Sequence, residues 1–241
     1  MGNSVIGGSG CSLTRSFALN VTTAFSIAFA AKWAAAVTGT FPSPFSAFNP
    51  TLDFWTAFQD DAANGDDIEV EYKTGASTNT DVAIGSNASL VGRWIHFCYT
   101  YNVGSGAQSI YCLIEGFNPA SPSFLITPSR ATTTALVPVS LDVFTDSVSD
   151  FFLNGKIAHF IVCPLELTQA QAIAQFQQRA PISAIVAGGA YTYLDCQNAA
   201  SVQLDLGTTA TNFTRAGSFT DSQEQPIEWQ RRPVIFSAAN F

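Results

Sequence analysis

The chain has 241 residues, of which 47% are hydrophobic and 12% are charged, well below the roughly 25% charged residues of an average soluble domain. Its formal net charge of −8 and its 10 basic residues leave no basic patch to neutralise phosphates, which argues against nucleic-acid binding. The most apolar stretch, residues 24–37, contains Lys32 and is shorter than the about 20 residues of a membrane-spanning helix, so no membrane insertion is expected.

The N-terminal segment, residues 1–13, is rich in Gly and Ser and is expected to be flexible. It has neither the basic nor the apolar region of a secretory signal. Ile6 stands where the myristoylation pattern requires Ser or Thr. If the protein acts outside a cell, we therefore expect it to leave by another route, such as lysis.

Segments of alternating or continuous β-forming residues follow, separated by clusters of Gly, Pro, Ser and Asn. Many short strands with turn signals between them are typical of an antiparallel sandwich or barrel. The content of 20 Phe and 1 Met favours a rigid aromatic core. The predicted strands are Arg15–Leu19, Ala24–Trp33, Asp53–Phe58, Ile68–Lys73, Asp81–Ile84, Arg93–Tyr101, Ser109–Gly116, Thr133–Val143 and Gly155–Cys163.

The stretch GDDIEVEYKT, residues 65–74, carries the pattern closest to catalytic chemistry. Asp67, Glu69 and Glu71 alternate with apolar residues, and on a strand such alternation places all three carboxylates on one face. The first hypothesis is the solvated face of an ordinary antiparallel strand. The second is a glycosidase, but a retaining enzyme needs its carboxyls about 5–5.5 Å apart, less than residues i and i+4 of a strand allow. The solvated strand is the favoured interpretation.

The loop before this strand is dense in oxygen donors. Asp60, Asp61, Asn64, Asp66 and Asp67 carry the hard oxygen ligands that calcium prefers, although their spacing is not that of an EF-hand. The alternatives are a weak calcium site at Asp60, Asp61, Asn64 and Asp66 or a plain polar turn. No other cofactor is expected.

Two aromatic residues flank the same loop. Trp55 and Tyr72 would stack on a sugar ring if they are exposed, and would pack in the core if they are not. With Asp60 and Asp61 they form the candidate ligand-binding set.

The remaining nucleophiles and titratable residues show no catalytic spacing. His96 and His159, the 2 histidines, each lie in an apolar strand pattern and are expected to be buried and hydrogen-bonded. The 5 Cys form no CxxC pair and are expected to be mostly small buried hydrophobes. Cys98 and Cys112 would face each other across a predicted hairpin, but a shift of one residue in register would separate them.

Residues 164–181 predict a helix. Thr168 and Gln171 form a capping box, and Leu167 and Ala172 occupy the positions of a hydrophobic staple. After the helix, residues 183–241 read as closing strands followed by an extended C-terminal arm. The expected organisation is a flexible segment 1–13, a sandwich 14–182 and the closing part 183–241.

Three segments resemble concanavalin A-like, laminin-G-like domains. TTAFSIAFAAKW (22–33) resembles their opening strand, GRWIHFCYTYNVGSGAQSIYCLIEG (92–116) their central hairpin, and NGKIAHFIVCPLELTQAQAIAQF (154–176) their closing strand and short helix. The segments occur in the family order. The resemblance covers roughly residues 14–180 and implies a jelly-roll β-sandwich.

Two further resemblances bear on function. LDLGTTATNFTRAGSFTDSQEQP (204–226) is similar to segments that follow such domains in structural proteins of bacteriophage particles, which implies a virion component. The acidic strand resembles the EIDIEF strand of sandwich-fold glucanases, which would make Asp67 the nucleophile, Glu69 the assisting carboxylate and Glu71 the general acid/base. Asp and Glu are exchanged at the first two positions, and the capped helix belongs to the lectin-like branch of the superfamily.

The sequence therefore predicts an all-β antiparallel jelly-roll sandwich with one short helix and an extended C-terminal segment. The leading functional hypothesis is a non-enzymatic structural or adhesive component on the surface of an extracellular particle, a phage capsid decoration or tail-associated protein. Its expected partners are other virion proteins and further copies of itself. The alternative is a carbohydrate-binding module that recognises cell-surface glycans, and the third hypothesis is a glycoside hydrolase.

Overall fold

The computed structural model contains two antiparallel sheets that pack face to face. It describes residues 4–8, 10–17, 23–34, 43–49, 54–61, 67–74, 79–86, 91–105, 107–115, 123–127, 138–145, 153–177 and 189–226. For residues 54–61, 67–74, 79–86 and 123–127 the description covers the backbone.

The described strands are 3 to 10 residues long. In chain order they are β1 (Ser4–Gly7), β2 (Ser12–Ser16), β3 (Ala24–Trp33), β4 (Phe45–Asn49), β5 (Phe54–Asp61), β6 (Asp67–Thr74), β7 (Asn79–Ser86), β8 (Ile95–Asn102), β9 (Gln108–Ile114), β10 (Ser123–Thr127), β11 (Ser140–Val143), β12 (Gly155–Cys163), β13 (Thr192–Leu194), β14 (Thr214–Ala216) and β15 (Thr220–Ser222), with helix α1 (Gln169–Phe176) between β12 and β13.

Sheet A has the order β10-β9-β8-β3-β12-β1-β15, with β13 also paired to β12, and sheet B has the order β14-β2-β11-β4-β5-β6-β7. The pairings between described strands are antiparallel. On one side of the sandwich β10 contacts β7, so the edges of the two sheets meet there. This is the antiparallel jelly-roll sandwich with one short helix that the sequence predicts.

The core between the sheets is aromatic. The Phe29 ring of sheet A lies 5.6 Å from the Phe45 ring of sheet B and 5.0 Å from the Phe97 ring, centroid to centroid, and all three side chains are fully buried. Tilted and edge-on rings at these distances contribute attraction beyond their buried area. The predicted aromatic core is confirmed.

Small residues on the outward face of β3 make room for α1 on sheet A. Ser26, Ala28 and Ala30 alternate with the inward residues Phe25, Ile27, Phe29 and Ala31, which belong to the core between the sheets. Leu167 and Phe176 pack into a second buried cluster on this outer face. Sheet A is therefore buried on both sides over its central strands, which explains the continuous apolar sequence of β3.

The predicted helix is present and shorter than expected at both ends. Thr168 is its N-cap: its Oγ1 accepts from the Gln171 N–H at 3.3 Å, and Gln171 Oε1 accepts from the Thr168 N–H at 2.9 Å. The capping box predicted from the sequence is confirmed. No helix among the described residues is long and apolar enough to cross a membrane.

The N-terminal segment corrects one expectation. Residues 4–7 and 10–13, expected to be flexible, belong to β1, the following turn and the start of β2. Val5 is fully buried in the core, and β1 pairs with β12 on one side and β15 on the other. The burial of Val5 and Leu13 outweighs the flexibility that the glycines suggest, because Gly7 ends β1 and only Gly8 and Gly10 lie between the two strands.

Residues 189–226, which we call the closing segment, complete the same core. Leu194, Val202 and Phe213 belong to the interior cluster between the sheets. The corner between β14 and β15 packs on the corner between β1 and β2, and at Gly217 (φ 76°) a Cβ would come within 2.5 Å of the Gly10 carbonyl oxygen. A larger residue at position 217 would separate the two corners. Residues 227–241, which include most of the predicted arm, lie outside the described residues.

Candidate functional site

The acidic strand forms as predicted. β6 pairs with β5 without a break in register from Asp61↔Asp67 to Phe54↔Thr74, so Asp67, Glu69 and Glu71 occupy alternate positions of one strand. Its pairing with β7 has an irregularity between Ile68 and Glu69. At about 3.3 Å per residue, the Cα atoms of residues 67 and 71 are roughly 13 Å apart. A retaining glycosidase needs its carboxyls about 5–5.5 Å apart, so this spacing along the strand weighs against that arrangement.

Register identifies the face on which the acidic positions lie. Phe45 and Ala47 of β4 belong to the buried core and pair with Phe58 and Thr56 of β5. Those positions continue to residues 70 and 72 of β6, so residues 67, 69 and 71 fall on the opposite, outward side of sheet B. This placement agrees with the solvated-strand interpretation.

The candidate sugar-binding positions divide between the two faces. Trp55 pairs with Lys73, and Thr56 pairs with Tyr72, so the positions of Trp55 and Tyr72 have opposite orientation in the sheet. Position 55 shares the outward side with the acidic residues. Asp60 and Asp61 end β5, while Asn64 and Asp66 lie outside the described residues. The ligand-binding role of Trp55, Asp60, Asp61 and Tyr72 stays a prediction, and so does the calcium site.

Within the described part of the chain, no group of three or more His, Cys, Asp or Glu side chains is arranged to hold a metal ion. The cysteines are buried thiols. Burial raises the pKa of both Cys112 and Cys163 to about 12, so these thiols stay protonated and poorly nucleophilic at neutral pH.

The Cys98–Cys112 disulfide considered from the sequence is not formed. Register pairs Cys98 with Tyr111, and Phe97 with Cys112, so the two cysteines point to opposite faces of sheet A. Cys112 lies in the core between the sheets, and Cys98 lies under the helix. The strand register is shifted by one residue from the one that would bring the two cysteines face to face, which is the alternative considered from the sequence.

Both histidines are buried beneath α1, as expected. His159 is 3% exposed, and its Nε2 lies 2.6 Å from Nε2 of Gln175, a side chain of the helix. Burial, together with the charge of His96, holds the pKa of His159 well below its usual value. A neutral imidazole held by an amide at a helix–sheet contact has a structural role.

Sequence patterns missed the polar network that fastens the closing segment. Arg15 points inward from β2, and its Nη1 lies 2.9 Å from Oδ2 of Asp205. The same guanidinium donates to Thr192 Oγ1 and to the Thr211 carbonyl, and it lies 4.4 Å from the centroid of the Phe213 ring. These partners are almost two hundred positions from Arg15, so no local pattern could reveal them.

A second ion-pair group fastens the end of the closing segment. Glu224 accepts from Nζ of Lys32 on β3 and of Lys156 on β12, while its backbone carbonyl accepts from Ser4 Oγ at 2.8 Å. Partial burial raises the pKa of Glu224, but the hydrogen bonds from Lys156 and Lys32 outweigh that effect and lower it. Since Ser4 also pairs with Ser222, both ends of the described chain meet at one edge of sheet A.

The architecture therefore has two distinct edges. The edge formed by β1, β14 and β15 holds both ends of the described chain, and the opposite edge carries β7 and β10. Seven strands at about 4.8 Å separate these edges by roughly 30 Å. The acidic strand β6 lies next to the far edge.

No protein-family profile matches the sequence, and no curated protein matches it. Among solved structures, the chain is similar to a candidate carbohydrate-binding protein from Bacteroides ovatus ATCC 8483, with a TM-score of 0.60, 13% identity, and coverage of 94% of this chain and 62% of that one. The chain thus spans less than two thirds of that protein. This likeness shows a shared jelly-roll fold.

Two weaker similarities were also found. A heptameric SAP-like pentraxin from Limulus polyphemus has a TM-score of 0.47 and 13% identity, over 70% of this chain and 79% of the pentraxin. Tailspike protein 2 of the Escherichia coli O157:H7 bacteriophage CAB120 has a TM-score of 0.45 and 14% identity, over 68% of this chain and 22% of the tailspike. At TM-scores below 0.5 these two similarities carry no argument.

Proposed function

We propose that the chain is a non-enzymatic adhesive module displayed on an extracellular particle such as a phage virion, and that it binds carbohydrate through the outward side of β5–β7. The observation that carries the proposal is the division of the sandwich into two edges. Both ends of the described chain meet at the β1–β15 edge, which leaves the strands near the other edge for a ligand.

The outer face of sheet A is already covered, which also favours a ligand site on the outward side of β5–β7. On the outer face of sheet A, α1 and Tyr193 of the closing segment bury Cys98 and Leu113. An exposed carbohydrate site on that face would require the helix to move. The outward side of β5–β7 carries Trp55, and an aromatic ring beside carboxylates is suited to stacking on and hydrogen-bonding to a sugar.

The shared fold supports carbohydrate as the class of ligand. The Bacteroides ovatus protein that shares the sandwich over 94% of this chain is a candidate carbohydrate-binding protein. The virion location rests on the resemblance of residues 204–226 to phage structural proteins. The separation of positions 67 and 71 along β6 supports a binding role over hydrolysis.

A glycan array with the purified chain, with and without calcium, tests the proposal. We expect binding by the wild type and at least about a tenfold loss of affinity in Trp55→Ala, which corresponds to about 1.4 kcal/mol. Leu206→Ala, which shortens an exposed apolar side chain on the closing segment, is the matched control and should bind normally. Loss of binding without calcium would add the metal site, and binding that survives Trp55→Ala would contradict the assigned surface.

A further inference from the structure

Helix α1 is seated on sheet A over two buried imidazoles. Ala30 of β3 pairs with His96 of β8 on one side and with His159 of β12 on the other, so the two rings approach across a small residue. Their centroids are 6.3 Å apart. From the helix, Phe176 places its ring 5.5 Å from His96, and Gln175 bonds to His159.

We propose that this histidine pair is an acid-sensitive contact that releases helix α1 from sheet A while the sandwich stays folded. Protonation of His159 places a positive charge on a ring that is 3% exposed and about 6 Å from a second buried imidazole. Lifting the helix exposes both rings to water and removes this cost.

The sign of the effect follows from burial. The pKa of His159 is lowered in the folded protein, so the closed helix binds fewer protons than the open one. The closed state is therefore fully favoured above the ordinary histidine pKa of about 6.5 and loses stability as the pH falls below it.

The other titratable groups around the pair do not reverse this sign. α1 itself has no charged residue. Lys32 and Lys156 lie one step further along the same outer face, next to Ala30 and the β12 bulge, and are paired with Glu224. Cys98, Cys163 and Tyr111 have pKa values raised by burial and stay neutral in acid. The carboxylates of the adjoining segments accept from named donors: Glu115 from the Trp94 N–H, Glu166 from the Asn102 amide and Asp195 from the Tyr193 hydroxyl.

The helix can open without the sandwich because its contacts lie in a separate cluster. Cys98 and Cys163 are buried with Leu167, Ala172 and Phe176 on the outer face of sheet A. Cys112 is buried on the inner face, among the aromatic rings between the sheets. Opening of α1 would expose the first two thiols, and only unfolding of the sandwich would expose the third.

These thiols report the proposed motion directly. The wild-type chain is labelled with 4,4′-dithiodipyridine at pH 7.5 and 5.5, and each cysteine's rate is divided by its rate in the unfolded chain at the same pH. Protection of Cys98 and Cys163 should fall about tenfold at pH 5.5 as the His159 imidazole titrates on opening, with Cys112 unchanged. Equal protection at both pH values, or loss of protection at all three thiols together, would overturn the proposal.

Two variants separate titration from simple weakening of the contact. His159→Gln keeps an amide partner for Gln175 and removes the titrating imidazole, so the tenfold pH effect should disappear. Gln175→Ala removes the bond but no titrating ring, so it should raise labelling at both pH values by a similar factor. Full wild-type pH dependence in His159→Gln would contradict the proposal, and if this variant does not fold the wild-type labelling still decides.

Discussion

Arg15 and Asp205 show how single side chains hold the closing segment in place. Their side chains are 4% and 0% exposed, so both charges are removed from water. Burial lowers the pKa of Arg15, while the hydrogen bond and charge of Asp205 act in the opposite direction. Asp205 also accepts from the backbone N–H groups of Tyr193 and Gly207 at 2.9 and 2.8 Å. The pair therefore fixes where the segment runs, and its net effect on stability is smaller than its contacts suggest.

Asp205→Ala should lower the free energy of unfolding by about 3–5 kcal/mol, because it leaves a buried guanidinium and two backbone N–H groups without their acceptor. Urea denaturation followed by circular dichroism measures the change. Glu166→Ala removes an exposed carboxylate and is the matched control, for which we expect less than about 1 kcal/mol. Equal losses in the two variants would show that the Arg15 network contributes no more than a surface contact.

At the scale of elements, local sequence pattern is enough to predict some strands, whereas others form only because they pair with neighbouring strands. β3 and β12 begin and end at the predicted residues, because each is a continuous run of strand formers paired on both sides. β1, β4 and β10 were missed. Gly follows β1 and Pro precedes and follows β4, so their sequences read as turns, and pairing with neighbouring strands decides their conformation.

The capping box is the local signal that the structure reproduces atom by atom. Thr168→Ala should reduce the free energy of unfolding by about 1 kcal/mol, because the Gln171 N–H loses its acceptor. Thr168→Ser keeps the hydroxyl and should stay close to wild type. Chemical denaturation of the three proteins gives the comparison, and equal losses in Ala and Ser would mean that packing of the Thr methyl group, not the cap, is responsible.

For the candidate site, the sequence predicted the acidic strand and the alternation of its positions, and the register confirms both. It did not distinguish Trp55 from Tyr72, since the side of the sheet that a residue occupies depends on which strand pairs with it. It also missed Asp205 and Glu224, whose partners lie far away in the chain. Such contacts follow from topology, which a single sequence encodes only through the complete fold.

At the scale of the whole molecule, the two ends of the described chain are built into one edge of the sandwich. β15 pairs with β1, and Phe219 packs edge-on against Phe144 with centroids 5.0 Å apart. Glu224 joins this edge to both β3 and β12. The predicted C-terminal arm is therefore not removed cleanly by a truncation that begins at residue 221, because that cut passes through β15. A change in oligomeric state after such a cut would not distinguish a lost anchor from a damaged fold.

A cut after residue 226 separates assembly from folding. Removal of residues 227–241 leaves every described contact of the closing segment intact, so β14, β15 and Phe219 keep their partners in the shorter chain. Removal of residues 214–241 deletes β14, β15 and Phe219 and should destabilise the sandwich strongly. If the end of the chain anchors the module, light scattering should show a defined oligomer for the full chain and a monomer for the shorter cut. A monomer of 25.6 kDa for the full chain would contradict self-association and leave carbohydrate binding as the property to test.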